Sequence, residues 1–132
     1  MTPTSIVVRL LQNRRGDQPL RERFNRQRYL HAPALIDAEV NSAIRGLLLT
    51  SKPMITIDVT RAQEMLDDLA DLPLVRYPMQ PYQRRVLALR HNFTAYDGFY
   101  VALAESLDMP LLTDDRKYAT APSHSAVIET WP

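Results

Sequence analysis

The segments Asn92–Leu107, "NFTAYDGFYVALAESL", and Pro110–Asp115, "PLLTDD", decide the fold class. Thr94 is a typical helix N-cap, and apolar residues then recur at helical spacing as far as about Leu107. The apolar segment that starts near Pro110 is short and bounded by proline, as expected for a buried strand. A helix that leads directly into such a strand favours an α/β domain.

The same alternation of helical and strand-like segments continues through the rest of the chain. The predicted helices cover residues 18–28, 33–49, 59–70, 80–90 and 94–107, with a short one in "DDRKYAT" (114–120). The predicted strands are "TSIVV" (4–8), "RYLHAP" (28–33), "LPLVRYP" (72–78), "MPLLT" (109–113) and "SAVIET" (125–130). We therefore expect one α/β domain over residues 1–132, with a mostly parallel sheet of four or five strands flanked by helices.

Composition excludes several classes of site. The chain of 132 residues has no cysteine, which excludes disulfides, thiol nucleophiles and thiolate zinc sites. It has only three glycines, and neither a P-loop nor a dinucleotide-binding fingerprint is present. The apolar runs are too short to span a bilayer and no signal segment opens the chain, so we expect a cytoplasmic protein with no membrane partner.

Charge is segregated along the chain, although the net charge is only +1. Residues 1–30 and 76–91 are basic, whereas residues 37–71 and 92–132 are acidic. One interpretation is that basic surfaces hold a polyanion around an acid-lined metal centre. The other is that these charges form ordinary solvated helix faces, and the pattern alone leaves both open.

Three carboxylates lie where a metal site is plausible. Asp115 directly follows a predicted strand, and ligands of open parallel sheets bind beyond the carboxyl ends of strands. Asp97 lies in the first turn of its helix, where an acid also simply stabilises the helix dipole. Glu39 and Asp37 fall at opposite edges of one apolar helix stripe, so periodicity does not choose between them. Such oxygen ligands suit hard cations such as Mg²⁺.

Several segments carry a resemblance to a known family: "TSIVVRLL" (4–11), "LHAPALIDAEVNSAIR" (30–45), "DLPLVRYP" (71–78), "LRHNFTAYDGFYVALAESL" (89–107) and "PLLTDDRKYA" (110–119). Over nearly its whole length the chain resembles PIN-domain ribonucleases, specifically the VapC-type toxins of bacterial toxin–antitoxin pairs. The resemblance implies a PIN-like fold and a cytoplasmic endoribonuclease toxin that depends on Mg²⁺ or Mn²⁺. It also implies a cognate VapB-type antitoxin, an RNA substrate of the tRNA or rRNA class and a homodimer.

The resemblance also assigns roles to individual residues. It implies that Glu39, Asp97 and Asp115 are the catalytic, metal-binding acids, and that Ser5 and Thr113 orient these carboxylates. The basic segments suggest phosphate contacts that do not read RNA sequence. The arginines expected to make those contacts are Arg14, Arg15, Arg84 and Arg85.

Pro3 departs from the family pattern, because family members usually have an aspartate at this position. We expect its absence to weaken metal binding and cleavage; the domain is either naturally degenerate or altered at its N-terminus. The alternative function is a catalytically degenerate PIN-like module that binds RNA or a partner. A Mg²⁺-dependent phosphatase on another α/β scaffold is less favoured, because no Asp-x-Asp follows an early strand.

Overall fold

Seven α-helices and four β-strands alternate along the chain in the computed structural model, which describes residues 1–132. The helices are α1 (Thr4–Gln12), α2 (Gln18–Asn25), α3 (Ile36–Leu49), α4 (Val59–Asp71), α5 (Gln83–Ala88), α6 (Ala95–Leu107) and α7 (Lys117–Thr120). The strands are β1 (Leu30–Pro33), β2 (Leu74–Tyr77), β3 (Leu111–Thr113) and β4 (Ile128–Thr130). None of the helices is long and apolar enough to cross a membrane.

All four strands run parallel, which confirms the predicted α/β class, but they form two pairs rather than one continuous sheet. β1 pairs with β2, and β3 pairs with β4. Residues Met1 and Thr2 connect the pairs: the Thr2 N–H donates to the His31 carbonyl (2.9 Å), and the Leu112 N–H donates to the Met1 carbonyl (3.2 Å). The segment that connects the two strand pairs is therefore only two residues long, which is too short to count as a strand.

The strand predicted at residues 4–8 is wrong, because these are the first five residues of α1. Pro3 precedes the helix with an extended backbone, and its carbonyl accepts the first helical hydrogen bond from the Val7 N–H (3.1 Å). Ile6 and Val7 are fully buried, and Leu11 follows one turn later on the same face. Burial of this face against α3 and α4 outweighs the strand preference of β-branched residues.

The other predicted strands and the long predicted helices are confirmed, with boundaries that differ by a few residues. Helix α6 contains seven consecutive buried residues, from Gly98 to Ala104. It packs against β1 and β3. This packing brings the start of α6 close to the carboxyl end of β3.

Candidate active site

The start of α6 positions Asp97. The Thr94 hydroxyl caps the helix by accepting a hydrogen bond from the Asp97 N–H (3.2 Å), as predicted from the sequence. The Tyr118 hydroxyl then donates to Asp97 Oδ1 (2.6 Å). Burial raises the pKa of Tyr118, and the hydrogen bond to Asp97 raises it further, so this phenol remains a donor.

The carboxyl end of β3 positions Asp115. Thr113 is fully buried, and its hydroxyl oxygen accepts a hydrogen bond from the Asp115 N–H (3.0 Å). This bond fixes the turn that leaves the strand, so Thr113 acts on the backbone of Asp115 rather than on its carboxylate. Asp115 Oδ1 in turn accepts from the Lys117 N–H (3.0 Å) at the start of α7.

Two hydroxyl groups hold Glu39 in the first turn of α3. Its Oε1 accepts from the Thr4 hydroxyl (3.0 Å) and from the Tyr100 hydroxyl (2.7 Å). The Thr4 and Tyr100 hydroxyl oxygens are themselves 2.9 Å apart. The two hydroxyl protons are therefore shared among three close oxygen–oxygen contacts. Burial raises the pKa of Tyr100, and Glu39 adds to the shift, which keeps the phenol protonated. The second Glu39 oxygen, Oε2, makes no hydrogen bond.

The structure separates Glu39 from Asp37, which the sequence pattern does not. Both Asp37 oxygens accept hydrogen bonds from Arg76 on β2, at 2.6 and 2.8 Å. The hydrogen bond to Asp37 raises the pKa of Arg76. Asp37 is thus engaged in a surface ion pair, whereas Glu39 lies in the cleft described next.

One pocket collects the predicted acids. Glu39, Asp97 and Asp115 line a cavity of about 230 Å³, together with Asp114 and Pro3. Carboxylates from α3, α6 and the end of β3 therefore face a common space, on elements that are far apart in sequence. Their catalytic role remains a prediction that this arrangement makes testable.

Ser5 contacts Asp114 instead of one of the three predicted acids. The Ser5 hydroxyl donates to Asp114 Oδ1 (2.8 Å), and Arg9 Nη1 lies 3.3 Å from Asp114 Oδ2. Arg9 also binds Asp17 (2.7 Å), and the hydrogen bond to Asp17 raises the pKa of the guanidinium. Asp114 is thus held by α1, the helix that follows Pro3.

Lys117 introduces a positive charge between two of the acids. Its ammonium lies 2.8 Å from Asp97 Oδ2 and 3.3 Å from Asp115 Oδ2. Hydrogen bonding to Asp97 raises the pKa of Lys117, and Asp115 adds to the shift. No sequence pattern indicates this contact, since a lysine in a short polar helix usually faces solvent.

The donor set fits a hard divalent cation, although its ligands are not fully assembled. Asp97 and Asp115 already hold a cationic group between them, and both offer the carboxylate oxygens that Mg²⁺ and Mn²⁺ bind. No three acidic or histidine side chains converge on one point. A third protein ligand, such as Glu39 through Oε2, would therefore require side-chain movement.

The four arginines predicted to bind RNA lie outside the pocket. Arg14, Arg15 and Arg84 have exposed side chains. Arg85 makes two hydrogen bonds to Glu105, at 3.0 and 2.8 Å, and hydrogen bonding to Glu105 raises the pKa of Arg85. Arg85 thus links α5 to α6, and the RNA contacts remain a prediction.

Comparison with known proteins agrees with the fold. The PIN domain model matches residues 3–123. The chain belongs to the PIN-domain family. It is 45% identical to Ribonuclease VapC1 of Mycobacterium tuberculosis over 93 residues, which cover 70% of this chain and 67% of the relative. It is 38% identical to Ribonuclease VapC12 of the same organism over 100 residues, which cover 76% and 74% of the two chains. Within the PIN-domain family, these similarities identify a VapC-type protein.

Proposed function

We propose that this VapC-type protein is a metal-dependent endoribonuclease toxin that hydrolyses RNA phosphodiesters. The observation that best supports the proposal is the single cleft in which Asp97 and Asp115 hold a cationic group beside Glu39. The relatives VapC1 and VapC12 are both named ribonucleases, in keeping with such a cleft. A cleft lined by carboxylates repels a polyanion unless cations neutralise it, so we expect RNA cleavage here to depend on a metal ion.

The side chains of the cleft divide the work. Bound Mg²⁺ or Mn²⁺ would supply an activated water and neutralise charge at the scissile phosphate. Asp97 and Asp115 would hold the ion, while Thr94 and Thr113 fix the backbone that carries them. Glu39, held through one oxygen by Thr4 and Tyr100, presents its other oxygen as a further ligand or proton acceptor. We assign phosphate contacts outside the cleft to the exposed arginines.

The proline at position 3 favours an enzyme with weakened activity. If activity is lost completely, the second candidate function applies, which is a degenerate module that binds RNA or a partner. Pro3 lines the pocket and offers no oxygen from its side chain, where an aspartate would add a further carboxylate to Glu39, Asp97, Asp115 and the neighbouring Asp114. Its place at the N-cap of α1, and not inside a strand, means that replacement leaves the pairing of Met1 and Thr2 intact. We therefore propose that the unmodified chain cleaves RNA weakly.

The test compares Pro3→Asp with Pro3→Asn. Asp and Asn are equally good N-caps with nearly the same shape, so both substitutions suit the start of α1. Only Asp adds a negative charge to the cleft. We expect Pro3→Asp to raise Mn²⁺-dependent cleavage of a structured RNA by about tenfold or more, because loss of even an outer-shell partner of a metal site typically costs about 10- to 100-fold in metal affinity or activity. Pro3→Asn should show no gain.

Two controls separate the candidate functions. Asp97→Asn should abolish the activity that Pro3→Asp gains, and a generic phosphate ester should not be hydrolysed. Strong metal-dependent cleavage by the unmodified chain would show that Pro3 is not limiting. Retained RNA binding without cleavage in every variant would favour the degenerate binding module.

We also propose a VapB-type antitoxin as partner, a homodimer as the oligomeric state and the cytoplasm as the location. Exposed apolar side chains lie at the end of α3, in the loop that follows it and at the first residue of α4: Leu49 is 66% exposed, Met54 94% and Val59 62%. Such a group of side chains is a typical protein contact surface. Co-expression with a neighbouring small gene, followed by size-exclusion chromatography, tests the pairing. A strict monomer that retains no partner would contradict it.

A further inference from the structure

Lys117 and Tyr118 occupy every oxygen of the two carboxylates at the mouth of the cleft. Asp97 receives the Tyr118 hydroxyl on Oδ1 (2.6 Å) and the Lys117 ammonium on Oδ2 (2.8 Å). Asp115 receives the Lys117 N–H on Oδ1 (3.0 Å) and the same ammonium on Oδ2 (3.3 Å). Two successive residues of α7 thus supply one donor to each of the four oxygens of Asp97 and Asp115.

We propose that Lys117 is an internal counter-ion that competes with the divalent metal for Asp97 and Asp115. The inference rests on the proposed function and adds a regulatory contact to it. Metal loading would require the ammonium to leave both carboxylates, while Tyr118 and the backbone of α7 stay in place. The apparent metal affinity is therefore set partly by a residue that is not a metal ligand.

The contact is strong enough to matter and weak enough to break. Two neighbouring carboxylates repel each other when both are ionised, and the ammonium relieves that repulsion in the metal-free protein. The Lys117 side chain is 52% exposed and has a flexible stem, so its ammonium group can move into solvent when it leaves the carboxylates. Asp115 is 47% exposed, and ion pairs of this kind contribute little individually. A divalent ion therefore displaces the lysine, but with reduced apparent affinity.

Lys117→Met tests the competition, because methionine keeps much of the apolar stem and removes the charge. We expect Lys117→Met to bind Mn²⁺ about three- to tenfold more tightly, as two partly exposed ion pairs would allow. Mn²⁺ binding is measured directly from the loss of its free electron paramagnetic resonance signal. Lys52→Met is the matched control, since Lys52 is the only other lysine, is exposed and forms no salt bridge.

The pattern across variants distinguishes this inference from the proposed function. Tighter Mn²⁺ binding by Lys117→Met, with Lys52→Met unchanged, supports the competition. Equal Mn²⁺ affinity in the parent and both variants overturns it and leaves the metal-dependent function intact. No Mn²⁺ binding by the parent or by Lys117→Met overturns both. Asp97→Asn should weaken binding in either background.

A second measurement uses the unaltered chain and so does not depend on how Lys117→Met folds. Competition is reciprocal: if Lys117 weakens metal binding, bound metal must release Lys117. Saturating Mn²⁺ should increase amine-reagent labelling of Lys117, mapped by mass spectrometry, and leave Lys52 unchanged. Unchanged labelling of Lys117 under saturating Mn²⁺ would overturn the proposal.

Discussion

At the scale of single residues, the candidate site depends on hydroxyl groups that point at carboxylates. Tyr100 is 2% exposed and lies 61 residues from Glu39 in the chain, yet its hydroxyl lies 2.7 Å from the acid. Hydrogen bonds to a charged acceptor are stronger than neutral ones, and burial increases their effect. The Tyr100 contact therefore fixes the rotamer of Glu39 as well as contributing to stability.

Tyr100→Phe tests this role, because it removes the hydroxyl and keeps the ring. We expect the free energy of unfolding to fall by about 1.5 kcal/mol, the lower end of the range for a hydrogen bond to a charged group, since Thr4 still donates to Glu39. Urea denaturation measures the change. In a Glu39→Ala background the same substitution should have a smaller effect. An equal loss in both backgrounds would show that the hydroxyl does not act through Glu39.

The candidate acids could be proposed from sequence, whereas their partners could not. Asp97 and Asp115 lie at the ends of recognisable elements, which made them candidates, and the family resemblance then singled them out. Lys117 and Tyr118 belong to a four-residue helix with no periodic signal, and their contact with Asp97 depends on how α7 packs. Long-range side-chain contacts of this kind follow from tertiary structure, which propensity does not describe.

At the scale of elements, the contact between α5 and α6 sets the position of the helix that carries Asp97. Gly98 directly follows that acid, and a Cβ atom at Gly98 would lie 3.1 Å from Val86 Cγ1 on α5. Glycine inside a helix is unfavourable relative to alanine by roughly 0.5–1 kcal/mol. The close approach of the two helices is the physical reason for a glycine here.

Gly98→Ala and Val86→Ala should therefore be coupled. In the parent chain, we expect the helix preference of alanine to be offset by crowding against Val86. In the Val86→Ala background, space is available, so Gly98→Ala should raise the free energy of unfolding by about 1 kcal/mol relative to its effect in the parent. A double-mutant cycle by chemical denaturation measures this difference. Identical effects in both backgrounds would contradict close packing at this point.

Helix α1 shows why element prediction failed at the N-terminus. Residues 4–8 are rich in β-branched side chains, and that local preference predicted a strand. The buried positions Val7 and Leu11 instead lie four residues apart, which is the helical repeat. This spacing becomes visible only when residues 9–12 are considered together with residues 4–8. Only Met1 and Thr2 form hydrogen bonds between the two strand pairs, and two residues are too few to produce a pattern.

At the scale of the whole molecule, polar contacts attach the C-terminal region to helices α5 and α6. Glu105 on α6 accepts hydrogen bonds from Arg85 on α5 and from the Ser125 N–H and hydroxyl, at 3.0 and 2.9 Å for the two Ser125 donors. Arg85 also donates to the Ser123 carbonyl (2.9 Å). These contacts join two helices and the segment before β4, so their loss should be felt in global stability.

The state of Glu105 makes that stability depend on pH. Burial favours the protonated carboxyl, but Arg85 and Ser125 outweigh it and lower the pKa of Glu105 below its ordinary value. A lowered pKa in the folded state stabilises the fold at any pH above the unfolded value of about 4.3, and this contribution is lost as the pH falls through the folded pKa. The Glu105 side chain is 12% exposed but that of Arg85 is 42% exposed, so solvent screening keeps the contribution small.

Comparison with Glu105→Gln isolates this contribution from that of the other acids. Between pH 7 and pH 3, the parent should lose about 1 kcal/mol more free energy of unfolding than Glu105→Gln, which cannot titrate at this position. Urea denaturation at the two pH values gives the difference. Arg85→Met should reduce the effect, because the pKa of Glu105 then lies closer to its unfolded value. If the parent and Glu105→Gln lost stability in parallel, Glu105 would not be the group through which acid loosens the attachment of the C-terminal region.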